Sequence, residues 1–231
     1  NNSSEIVFFF NYENTNDKKK IKNEIKQDEY YINSEKDFSF KTNEVHVMIE
    51  KGNLYKNCYF VFSKKDNDNL NSSYKIGNPY IPIHKGLYIS IKPDHFKEED
   101  EKKLALAQLK NNKWSYIKSD WNDGRLRGFV KSFGNFTIIK DEKKPTIKAI
   151  NLKEEMSAKK SIQFRVKDNF SGIAYYTATL NDEWILMEYD AKNNLLEHFF
   201  INEPTNQKNK LILTVKDGLG NETKKEYYFK R

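Results

Sequence analysis

Alternation of apolar and polar residues with a period of two limits this chain to very few folds. In SIQFRVKD, residues 161–168, the side chains of Ile162, Phe164 and Val166 fall on one face, and those of Gln163, Arg165 and Lys167 fall on the other. A strand points successive side chains to opposite faces, so such a segment has one dry and one wet face and must lie in a sheet covered by a second layer. The pattern returns in AYYTATL, EWILMEY, LLEHFF and KLILTVKD. The intervening NDE, DAKNN and NEPTNQKN hold the Asn, Asp and Pro that form turns. Closed by EYYFK, these strands predict an immunoglobulin-like antiparallel sandwich over residues 143–231.

Residues 37–142 follow the same pattern less regularly, in EVHVMIE, CYFVFS, GLYISIKP, KLALAQLK, WSYIK and NFTIIKD, and predict an irregular β-sandwich. The tetrad KNNK is a hairpin-turn signal. The stretch HFKEEDEKKLALAQLK has a helix-like composition. Its Leu104 and Leu106 alternate with Ala105 and Ala107, so it is read as a charged loop running into a strand. The boundary is placed near KDEKKPTI, where Pro145 follows a charged run. Residues 1–36 are read as a strand, EIVFFFN, followed by a charged linker. The strand parallels the last one of the chain, NETKKEYYF, in its order of polar and aromatic residues, and is expected to close a preceding sandwich of a longer protein. The expected fold class is all-β, with tandem β-sandwiches.

Sixteen Phe and fourteen Tyr supply aromatic area for two cores. The net charge of +7 comes mainly from Lys scattered among Asn, Asp and Glu, which describes a solvated surface, and no nucleic-acid partner is expected. Cys58 is the only cysteine, so an internal disulfide is ruled out; it lies in an apolar run as an inert thiol. No apolar run is long enough to span a bilayer, and no export signal is visible.

Chemistry is sparse. None of His46, His84, His95 and His198 has a second ligand at a spacing that builds a zinc site, and there is no glycine-rich phosphate loop or Gly-x-Ser-x-Gly elbow. No catalytic residue and no cofactor is assigned to the chain. KDNFSGIAYY and KDGLGN each place an aspartate, Asp168 and Asp217, at a strand end ahead of Gly172 or Gly220. The pattern describes a turn in which the carboxylate accepts backbone N–H groups; its metal-binding alternative is a calcium site, which needs several oxygens to converge. Trp114, Trp121 and Trp184 are candidates for a platform that stacks sugar rings, and Trp121, with Tyr175 and Tyr176 of AYYTATL, forms the candidate surface for a sugar ligand, against the alternative of core packing.

The segments EKGNLYKNCYFVF, NPYIPIHKGLYISIKP, FGNFTIIKDEKKPTI, FRVKDNFSGIAYYTATLNDEWILMEYDAKNNLLEHFF and LTVKDGLGNETKKEYYF resemble, in order, the region that follows the catalytic domain in lysostaphin-like (LytM-type) zinc metallopeptidase family proteins of Bacteroidota. Asn53, Leu54 and Tyr55 stand where that family shows Ala-Leu-Tyr, and NNSSEIVFFF fits the end of a preceding sandwich. The family's zinc ligands come from H-x-x-x-D and H-x-H motifs, neither of which occurs here. The resemblance therefore implies a non-catalytic accessory region of a peptidoglycan metallopeptidase-like protein. Zinc would belong to a peptidase-like domain N-terminal to it, with peptidoglycan or envelope proteins as partners and the cell envelope, periplasmic or outer-membrane-associated, as location. The alternatives are a carbohydrate or cell-wall-binding module, and a scaffold subunit of a cell-surface complex that pairs through its first strand.

Overall fold

The computed structural model describes residues 28–67, 71–94, 97–201 and 208–231. The first eleven strands are β1 (Asp28–Ile32), β2 (Phe38–Lys41), β3 (Val45–Ile49), β4 (Cys58–Lys65), β5 (Ser73–Ile76), β6 (Pro82–Ile91), β7 (Leu104–Lys110), β8 (Lys113–Ile117), β9 (Ser119–Asn122), β10 (Arg125–Ser132) and β11 (Gly134–Lys140). They form two antiparallel sheets, β1-β4-β5-β11-β7-β8 and β2-β3-β6-β10-β9. The remaining strands are β12 (Thr146–Ala149), β13 (Ser161–Lys167), β14 (Ile173–Leu180), β15 (Glu183–Ile185), β16 (Glu188–Asp190), β17 (Leu195–Phe199), β18 (Lys208–Asp217) and β19 (Glu222–Lys230). They form two four-stranded sheets, β12-β13-β17-β16 and β15-β14-β18-β19. The chain is thus all-β, a tandem of sandwiches with one hydrophobic core each.

Alternation sets the inward face. Val45, Val47 and Ile49 of β3 and Leu87, Ile89 and Ile91 of β6 are buried in the first core. Ile162, Phe164 and Val166 of β13 are fully buried in the second. An aromatic seam joins the first pair of sheets: Phe38 and Phe40 of β2 meet Phe60 of β4 at ring distances of 5.3 and 5.1 Å, and Phe40 meets Phe62 at 4.6 Å. The KNNK tetrad makes the expected hairpin, with Lys110 opposite Lys113 and both asparagines left-handed, at φ +49° and +60°.

Four differences from the sequence reading stand out. The linker expected to reach residue 36 is shorter, because Asp28–Ile32 is a strand paired with β4 along its whole length and Ile32 is buried in the first core. Charge at Asp28 and Glu29 masked it, although only the inward residues of an edge strand need be apolar. EWILMEY is two strands: β15 pairs with β14 in one sheet, β16 pairs with β17 in the other, and Met187 is buried at the crossing. The charged loop before β7 contains a 3₁₀ turn, Glu98–Lys103, that leads into the expected strand. Short strands β2, β5, β9 and β12 were too brief to register as alternation. EIVFFFN, read as the end of a preceding sandwich, lies outside the described residues.

Candidate functional site

The junction between the sandwiches brings together three buried polar residues, Asp141, Asp217 and Asn221. Asp141 follows β11, the last strand of the first sandwich; Asp168 and Asp217 lie at the ends of β13 and β18 in the second. The turns expected around the last two are present. Asp168 Oδ2 accepts the N–H groups of Phe170 and Gly172, each at 2.9 Å. Asp217 Oδ1 accepts those of Leu219 at 2.9 Å and Asn221 at 2.8 Å. Gly172 and Gly220 sit at φ +76° and +74°, a region that glycine enters without cost.

Tertiary structure then brings in a third carboxylate that the sequence reading missed. Asp141, Asp168 and Asp217 each present an oxygen within 4.8 Å of the other two. Asp141 and Asp217 are buried, and Asp168 is half-buried. Asp141 Oδ1 accepts the Lys143 N–H at 3.1 Å, while Asp141 Oδ2 and Asp168 Oδ1 are buried with no hydrogen-bond partner of normal geometry among the described residues. Among the described residues none of the three carboxylates forms an ion pair. Burial, with the charges of Asp168 and Asp217, pushes the Asp141 carboxyl up from its ordinary value, against the opposing pull of the Lys143 N–H and the Ser171 hydroxyl.

Around this cluster the two sandwiches are clasped. The buried Asn221 donates from Nδ2 to the Asp141 carbonyl at 3.0 Å and to Asp217 Oδ2 at 2.7 Å. Its Oδ1 accepts from Lys103 Nζ at 2.5 Å, and the same ammonium reaches the Leu219 carbonyl at 3.2 Å. Tyr116 of β8 meets Phe170 edge-on at 5.6 Å. A cleft walled by Asp141, Lys143, Asn169 and Phe170 opens beside the cluster.

The other candidates are dispersed. Trp121 is half-buried against the first core and its Nε1–H donates to the Glu101 carbonyl at 3.0 Å, so it packs rather than presents a platform. Tyr176 packs on Tyr189 at 5.5 Å, whereas Tyr175 is exposed. Of the three candidate tryptophans, Trp114 on β8 is 37% exposed and Trp184 on β15 is the most open, at 67%. Its pairing with Thr179, between the inward Ala178 and Leu180, turns it outward, a parity that could be read once the NDE turn was assigned. His46 lies near Ser39, with Oγ to Nε2 3.2 Å; burial, then Lys41 and Arg125, lower its pKa. His84 lies beside Tyr55, and His198 is buried with Nδ1 2.9 Å from the Leu186 carbonyl. These three do not converge, and His95 lies outside the described residues. Burial raises the pKa of the half-buried Cys58.

No curated protein matches the chain. Residues 29–141, from β1 to the carboxylate that the first sandwich contributes to the cluster, are similar to the Zu5-like domain family.

Proposed function

We propose that the chain is a non-catalytic accessory region of a cell-envelope, peptidoglycan metallopeptidase-like protein, and that it holds the peptidase or its partners at a set distance and angle. The observation that carries this reading is the clasped junction. Only Asp141–Pro145 separates β11 from β12, and the buried Asn221 ties both sandwiches together across it. Tandem domains joined by such a short, hydrogen-bonded connection transmit orientation, which a flexible linker cannot do. The peptidase association and the envelope location rest on the ordered motif resemblance. The strand order β12-β13-β17-β16 facing β15-β14-β18-β19 supports an immunoglobulin-like reading of the second sandwich. Two measurements test the proposal. The coding sequence upstream of Asn1 should contain H-x-x-x-D and H-x-H motifs, and the purified chain should release no fragments from sacculi with or without zinc. Zinc-dependent release by this chain, or an upstream region without those motifs, overturns it.

A second reading, a glycan-binding module, is favoured by the exposed outer face of β14 and β15. There Tyr175, Trp184 and Leu186 line a shallow groove of about 350 Å³. Binding to a glycan array that Trp184→Ala abolishes would support it, and binding unchanged by that substitution would remove the groove from consideration.

A further inference from the structure

We infer that Asp141, Asp168 and Asp217 form a calcium site that is completed only when the two sandwiches are docked. This goes beyond the accessory reading and holds whether or not the region serves a peptidase. Three carboxylates from two domains converge and, among the described residues, no cationic side chain is paired to any of them. Convergence of acidic groups alone would not define a site, since two of the three also cap turns. The independent observation is Asp141: its side chain is buried, with 4% relative exposure for the residue, and its Oδ2 has no hydrogen-bond partner of normal geometry among the described residues. The buried Asp168 Oδ1 likewise has no such partner, while the opposite oxygen of each carboxylate is already held by backbone N–H groups. Leaving a charged acceptor buried and unpaired is costly, and a cation removes that cost at both oxygens together.

The donor set selects the ion. All three ligands are hard carboxylate oxygens with no imidazole or thiolate among them, which suits calcium or magnesium rather than zinc or copper. The oxygens lie within 4.8 Å of one another, inside the roughly 5 Å that separates opposite ligands of one calcium ion. Backbone hydrogen bonds anchor all three carboxylates, which restrains their contraction onto the smaller magnesium ion with its strict octahedron. The cleft beside Asp141 and Asn169 gives access for the ion and for the waters that complete six to eight ligands.

The test is a calcium titration of the full chain after EDTA treatment and dialysis, followed by calorimetry and thermal unfolding, with magnesium as the comparison. At a free calcium concentration about one hundred times the dissociation constant, the midpoint should rise by roughly 5–10 °C. Asp141→Asn and Asp168→Asn should each lose most of that rise; both retain a carbonyl acceptor for the backbone N–H groups, so the turns persist. No calcium-dependent rise in the wild-type chain overturns the inference. So does a rise that survives in both variants, which would mark diffuse binding to an acidic surface, or an equal rise with magnesium. The wild-type titration decides the matter even if a variant fails to fold.

Discussion

Replacing Asn221 by alanine should uncouple the two sandwiches, and the structure sets the size of the effect. The side chain makes three hydrogen bonds: to the Asp141 carbonyl, to the Asp217 carboxylate and from the Lys103 ammonium. Bonds to charged groups contribute about 1.5–3 kcal/mol each and a neutral one about 1 kcal/mol. Lys103 keeps the Leu219 carbonyl and can reach water, so its share is largely recovered. Asp141 O and Asp217 Oδ2 lose a buried donor, which leaves a net cost of about 2.5–4 kcal/mol. For a chain of this length each kcal/mol lowers the midpoint by roughly 2–4 °C, so differential scanning calorimetry should show a fall of about 5–15 °C. Loss of the clasp should also resolve the unfolding into two transitions, one for each core. A fall of less than about 2 °C with a single unbroken transition would refute the reasoning, because the clasp would then contribute nothing beyond what water supplies.

Three further outcomes are expected. In calcium-free buffer Asp141→Asn should gain stability relative to the wild type as pH rises from about 4 to 7, measured as guanidinium midpoints. The native carboxyl holds its proton more tightly than an unfolded aspartate at 3.8, so its contribution is full below that value and is lost as pH rises through the higher folded pKa. A difference that does not change with pH would contradict this. Tyr74→Phe should be neutral within about 0.5 kcal/mol or slightly stabilising, because the buried hydroxyl has no hydrogen-bond partner of normal geometry among the described residues; a loss above about 1 kcal/mol would reveal one. Gly128→Val should cost about 1–3 kcal/mol in chemical denaturation. A β-carbon at this position already meets Ile117 Cγ2 at 2.7 Å and Leu106 Cδ1 at 3.0 Å, and an unchanged midpoint would show that the strands can move apart.

The amino-acid sequence by itself determined the layers of this protein. A period of two survives any pairing partner, so Ile162, Phe164 and Val166 had to share a face, and Asn111-Asn112 had to turn left-handed wherever the hairpin came to lie. The same local logic covers Asp168 and Asp217, whose backbone partners are two and four residues away. Pairing between distant strands decided the rest. It divided EWILMEY between two sheets, packed Trp121 and exposed Trp184, and drew Asp28–Ile32 out of an apparent linker. Above all, it set Asp141 beside Asp168 and Asp217. A carboxylate in a run as charged as KDEKK is locally indistinguishable from its solvated neighbours; the folded chain buries it, and the second sandwich gives it company.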